Sequence, residues 1–128
     1  MLKTVRNIRK LYNAKLLFVT NDQSIIDTIQ NEFDDYFKEL KVAGTLEEAI
    51  SLACSNSYDM AIIDADVKEI SFSELCTELS QLAPTLPKIV ISDSDNNESI
   101  VTAINSGAYT FLSKPLRAKD VKLAVIMC

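Results

Sequence analysis

Histidine and tryptophan are absent from this 128-residue chain, and glycine occurs only twice, at Gly44 and Gly107. Without histidine, the side chain that titrates nearest neutral pH and most often binds transition metals, imidazole base catalysis and imidazole metal sites are excluded. With so little glycine there is neither Gly-x-Gly-x-x-Gly nor Gly-x-x-x-x-Gly-Lys, so the dinucleotide and P-loop phosphate cradles are excluded too. Cysteine is limited to Cys54, Cys76 and Cys128, an odd number in no motif. That suits reduced thiols in a cytoplasmic protein and supports neither a zinc site nor thiol redox chemistry. No apolar run approaches the roughly 20 residues of a membrane span. Lys3, Arg6, Arg9 and Lys10 break up the start, so no secretory signal opens the chain.

What is present is an acidic, apolar-rich domain. Hydrophobic residues make up 48% of the chain, enough for a real core. Residues 1–15 carry Lys3, Arg6, Arg9, Lys10 and Lys15 and no acid. The remainder holds 13 − 5 = 8 basic residues against 18 acidic ones, a net of −10. A body of that sign repels nucleic acid, so direct DNA or RNA binding is not expected.

Short apolar runs alternate with helical periodicity. Leu16–Val19, Leu40–Ala43, Tyr58–Asp64, Lys88–Ile91 and Tyr109–Leu112 read as strands. Between them, Ile25, Ile26, Ile29, Phe33 and Phe37 carry a helical stripe over Ser24–Phe37. Thr45 with Glu48, and Ser71 with Glu74, are capping boxes that open helices to about Ser55 and Leu82. Asp95 or Asn96 caps a helix to about Ser106 with Gly107 at its end, and Leu116–Met127 is the last helix. Cys54 and Cys76 fall in helical patterns and read as small buried residues. Five βα units predict a parallel sheet with helices on both faces, and the uniformly apolar strands agree. Residues 1–13 read as a leader helix or linker, with Leu2, Val5, Ile8, Leu11 and Tyr12 on one face. A partner-binding or dimerising helix, hence a possible homodimer, is the sharper reading. A membrane-surface role is disfavoured because the stripe is short and lacks Trp or Phe. Residues 14–128 form the domain, and its apolar end, Leu123–Cys128, suggests a piece of a longer polypeptide.

Asp64 closes the apolar run Met60–Ile63, which places a carboxylate at the C-terminal tip of a parallel strand, the rim where open α/β sheets bind ligands. Lys114 follows another strand and can bring an ammonium to the same rim. The runs Tyr58–Asp64, Ile89–Ser92 and Gly107–Pro115 then stand in an order and spacing that resembles the receiver domain of bacterial two-component response regulators. The resemblance covers residues 14–127. It implies a flavodoxin-like (βα)5 doubly wound sheet of strand order 2-1-3-4-5. It implies a non-enzymatic signalling module in a phosphorelay. Asp64 would accept a phosphoryl group from a sensor histidine kinase or phosphotransfer protein. Lys114 would pair with Asp64 and then with the phosphate, Ser92 would hydrogen-bond a phosphoryl oxygen, and Phe111 would be the aromatic switch. A fused or separate effector domain would take the output. Magnesium is the implied cofactor, with Asn21, Asp64, the Asp66 backbone carbonyl and, in a register shifted by one, Asp22 as ligands.

The pattern fails in one place that matters. The family normally carries two adjacent acids after its first strand, and those positions are Thr20 and Asn21 here. A register shifted by one would make the pair Asn21 and Asp22. Either way at least one carboxylate is lost, and a weakened magnesium site is expected. Asp93 stands where the family prefers a small residue, Asp66 adds a further charge, and Lys68-Glu69 replaces the usual Pro-Gly. The alternative reading is therefore an unphosphorylated pseudo-receiver that acts as an interaction module. A small α/β enzyme would need a nucleophile or cofactor cradle that the chain lacks.

Overall fold

The computed structural model describes residues 14–33, 37–93, 110–114 and 117–127. Five parallel strands form one sheet in the order β2-β1-β3-β4-β5: β1 (Lys15–Val19), β2 (Glu39–Ala43), β3 (Met60–Asp64), β4 (Lys88–Ser92) and β5 (Thr110–Ser113). The parallel sheet is the one the alternation predicts, and its order is the doubly wound flavodoxin-like one that the family resemblance implies. Four helices are described: α1 (Gln23–Phe33), α2 (Leu46–Ser55), α3 (Phe72–Leu82) and α4 (Ala118–Met127).

The two faces of the sheet bury separate apolar layers, because successive residues of a strand point to opposite sides. Leu16, Phe18, Ile62, Ile89 and Ile91 pack with Ile25, Ile29 and Phe33 of α1 and with Val121, Ala124 and Val125 of α4. Leu17, Val19, Ala61 and Ile63 pack on the other side with Ala49 of α2 and Leu75 and Leu79 of α3. The central strands are apolar throughout because both of their faces are covered. β2 lies at an edge and is correspondingly only half-buried over most of its length. Lys122 of α4 reaches across to α1, 3.9 Å from Glu32 and 5.9 Å from the centre of the Phe33 ring.

Thr45 and Ser71 cap α2 and α3 as their motifs predict, accepting the N–H of Glu48 and of Glu74. Pro84 follows the end of α3 directly, where the helix need not continue. Two expectations are corrected. Phe37 lies in a bend outside α1, yet it is buried against Phe33 with ring centroids 5.8 Å apart. An apolar residue just past a helix fills the same layer and so mimics helical spacing. Cys54 is exposed, because the inner face of α2 is carried by Ala49, Leu52 and Ala53; Cys76 is buried as expected. The leader at 1–13, the helix from Asp95 or Asn96 to Ser106 with Gly107, and Pro115-Leu116 lie outside the described residues.

Candidate functional site

The strand order reverses at β1, whose neighbours are β2 and β3, and the crevice of such a sheet opens at the C-terminal ends of the strands there. Main-chain bonds continue the sheet just past those ends. Thr20 N–H donates to Ala43 O at 3.0 Å, Ala65 N–H to Ile91 O at 2.9 Å, and Lys114 N–H to Ser92 O at 2.9 Å. The strand tips are therefore in register before their side chains are considered. A concavity of about 630 Å3 lined by Cys54, Tyr58, Asp59 and Pro87 lies at the opposite end of β3 and β4. We locate the site at the tips because the charged groups converge there.

Asp64 is almost fully buried, with a 2% exposed side chain. Its two oxygens have different partners. Lys114 Nζ lies 3.0 Å from Oδ1, which also accepts the Asp66 N–H at 3.0 Å. Oδ2 accepts the Thr20 hydroxyl at 2.8 Å. Thr20 is itself fully buried, and its oxygen accepts the Asp22 N–H at 3.1 Å, which directs the hydroxyl proton at the carboxylate. A buried carboxylate needs such donors, since an unpaired buried charge is strongly disfavoured.

Asp66 is the member of the cluster that the sequence did not reveal as a side-chain partner. Its Oδ1 accepts the Ser92 hydroxyl at 2.7 Å, and its Oδ2 accepts the Asp93 N–H at 2.8 Å and lies 3.1 Å from Lys114 Nζ. Burial pushes the Asp66 pKa up, but Ser92, Asp93 N–H and Lys114 outweigh it and hold the group below its ordinary value. Burial alone would lower the Lys114 pKa, and the two carboxylates instead raise it. Lys114 thus bridges two acids, and the trio carries a net charge of +1 − 2 = −1.

The structure brings Asp64, Lys114, Ser92 and Asp66 together, with Thr20 beneath them. Phe111 lies three residues before Lys114, half-buried and on the opposite face of β5 from Leu112. Asn21 is exposed and donates its amide to Glu69 Oε2 at 2.8 Å, tying the β1 tip to the loop after β3. That contact holds the Glu69 pKa below its ordinary value. Asp22 caps α1, its Oδ1 accepting from Ser24 N–H at 3.0 Å and Ile25 N–H at 3.4 Å. The Asp93 side chain is exposed, and its backbone serves the cluster: the N–H donates to Asp66 at 2.8 Å and the carbonyl oxygen lies 3.4 Å from the Ser92 hydroxyl.

Magnesium asks for near-octahedral oxygens, usually including one or two carboxylates. Thr20 turns a proton toward Asp64, Asn21 is bound to Glu69, and Asp22 is engaged by α1. Among the described residues no group of three or more His, Cys, Asp or Glu is placed to hold a metal. Thr20 and Asn21 therefore offer this rim a hydroxyl and an uncharged amide oxygen rather than carboxylates.

Residues 3–126 match the family described as response regulator receiver domain. The alkaline phosphatase synthesis transcriptional regulatory protein PhoP of Bacillus subtilis is 24% identical over 113 residues, which are 88% of this chain and 47% of that protein. The chain spans about half the length, or less, of the curated relatives it matches. A CheY-like receiver domain from Methanospirillum hungatei superposes with a TM-score of 0.79 at 23% identity, covering 88% of this chain and 90% of that one. A Burkholderia pseudomallei response regulator, whose structure contains a phosphorylated aspartic acid, calcium and citrate, superposes with a TM-score of 0.78 at 19% identity. It matches over 88% of this chain and 66% of its own. At these identities the solved structures speak for the fold.

Proposed function

The chain belongs to the response regulator receiver domain family, and on that premise we propose that it works in a phosphorelay by accepting a phosphoryl group on Asp64. The observation that carries the reading is the buried Asp64 carboxylate held 3.0 Å from the Lys114 ammonium at the switch point of the sheet. One Asp64 oxygen attacks phosphorus while the bond from phosphorus to the donor breaks and its electron pair leaves with the donor. The donor atom is nitrogen in a phosphohistidine and oxygen in acetyl phosphate, and the product is an acyl phosphate. A carboxylate needs no general base for this attack. The protein's task is positioning and charge cancellation, which suits a lysine, a hydroxyl and an amide N–H.

A sensor histidine kinase or a phosphotransfer protein is the proposed donor, and a fused or separate effector domain the proposed recipient of the signal. The phosphorylated residue carries about −1.5 to −2 charges near neutral pH, by analogy with other phosphoresidues. That charge can re-pair Lys114 and Ser92 and so bias Phe111 on β5, the strand that Lys114 directly follows and that pairs with the strand ending in Ser92. Incubation with acetyl phosphate and excess magnesium tests the reading by intact mass. The wild-type chain should gain one phosphoryl group, labile to hydroxylamine as acyl phosphates are, and Asp64→Asn should gain none. Unchanged mass in the wild type, or equal uptake by Asp64→Asn, overturns it.

A further inference from the structure

We infer that the Asp66 side chain is a tethered stand-in for the phosphoryl group, occupying the anion cradle formed by Lys114, Ser92 and the Asp93 N–H. This rests on the proposed phosphoacceptor role of Asp64 and adds a regulator to that site. A single carboxylate gathers all three donors: a hydroxyl at 2.7 Å, a main-chain N–H at 2.8 Å and an ammonium at 3.1 Å. A hydroxyl, an amide and a cation converging on one anion are what a phosphoryl group with three acceptor oxygens requires. The same Lys114 nitrogen lies 3.0 Å from Asp64, so the cradle is next to the oxygen that would carry phosphorus.

A phosphoryl group on Asp64 and the Asp66 carboxylate cannot share these donors. Both are anionic, and Lys114 is the one cation that meets the two acids among the described ion pairs. Asp66 can leave the cradle because it sits in the turn after β3 with its side chain about a quarter exposed. Two consequences follow. Ser92 and the Asp93 N–H are engaged by an anion even when Asp64 carries none. Phosphorylation must displace Asp66, so the wild-type chain reacts more slowly than one lacking that carboxylate.

The test compares the wild type with Asp66→Ala and with Asp66→Asn, which keeps the shape and removes the charge, after amide NMR shows that each is folded. Acetyl phosphate uptake at equal magnesium should be at least about tenfold faster in both variants, equivalent to about 1.4 kcal/mol. Equal or slower uptake by folded variants overturns the stand-in while leaving Asp64 as acceptor. If no chain takes up phosphoryl, the proposed function fails, and titration with inorganic phosphate decides the remaining question. The Asp93 and Lys114 amide signals should then move in Asp66→Ala at phosphate concentrations that leave the wild type unchanged. Identical titrations in the two chains overturn the inference.

Discussion

At residue scale, position 20 decides what one oxygen of Asp64 faces. An acid there would repel Asp64 unless a cation lay between them; Thr20 instead donates a 2.8 Å hydrogen bond from a fully buried position. Thr20→Val keeps the branched shape and leaves the buried Asp64 Oδ2 without that donor. The expected loss is about 1–3 kcal/mol of stability, read as a lower urea midpoint with unchanged slope. Asp64 and Lys114 were legible in the sequence because each closes an apolar strand and parallel strands bring their tips to one rim. The Asp66 contacts were not. A side chain two residues past a strand takes its direction from the turn, and the identity of its partners depends on Ser92 and Asp93, 26 and 27 residues away.

The elements were legible where two local signals agree. α2 and α3 begin where a capping residue precedes an amphipathic stripe, and β3 and β4 are apolar runs between turn residues. Thr45 illustrates the detail that a motif does not carry. Its oxygen accepts the Glu48 N–H at 3.1 Å, and its hydroxyl lies 3.3 Å from the Glu48 carboxylate as donor, so that carboxylate turns to the side chain at the cap. Thr45→Ala should cost about 1 kcal/mol in a urea titration and leave acetyl phosphate uptake unchanged, since the cap does not touch the Asp64 cluster. Where only one signal was available the reading slipped. Phe37 joined the stripe of α1 by spacing alone, and Cys54 was assigned to the core from its residue type and its place in a helix, neither of which says which face it takes.

For the whole molecule, the cluster at the strand tips ties stability to pH in two directions. The Asp66 pKa is depressed, so its contribution is present above the ordinary value of 3.8 and is lost as pH falls through the lowered one. The Lys114 pKa is raised, so its contribution is present below the ordinary 10.5 and is lost as pH climbs through the raised one. Among the described residues, Asp64 and Asp66 face the lysine, and Asp66 and the Asp93 carbonyl face the Ser92 hydroxyl. The difference in urea midpoint between the wild type and Asp66→Asn should be level between about pH 5 and 9 and shrink below about pH 4. A difference that grows on acidification would contradict the assignment. Net charge of −5 and the fold class could both be anticipated from the sequence, because alternation and composition are properties of the whole chain. The loop after β3 could not, since its anchor is Glu69 receiving an amide from Asn21, 48 positions earlier.

The peptide links that join Thr20 to Ala43, Ala65 to Ile91 and Lys114 to Ser92 are indifferent to which side chains those positions carry. A mouth framed this way tolerates chemical revision: acids can be traded for alcohols or amides, and a new anion can be planted beside the lysine, while the scaffold beneath keeps its shape. What the rim binds can therefore change through its side chains alone, without a change in the architecture that holds it.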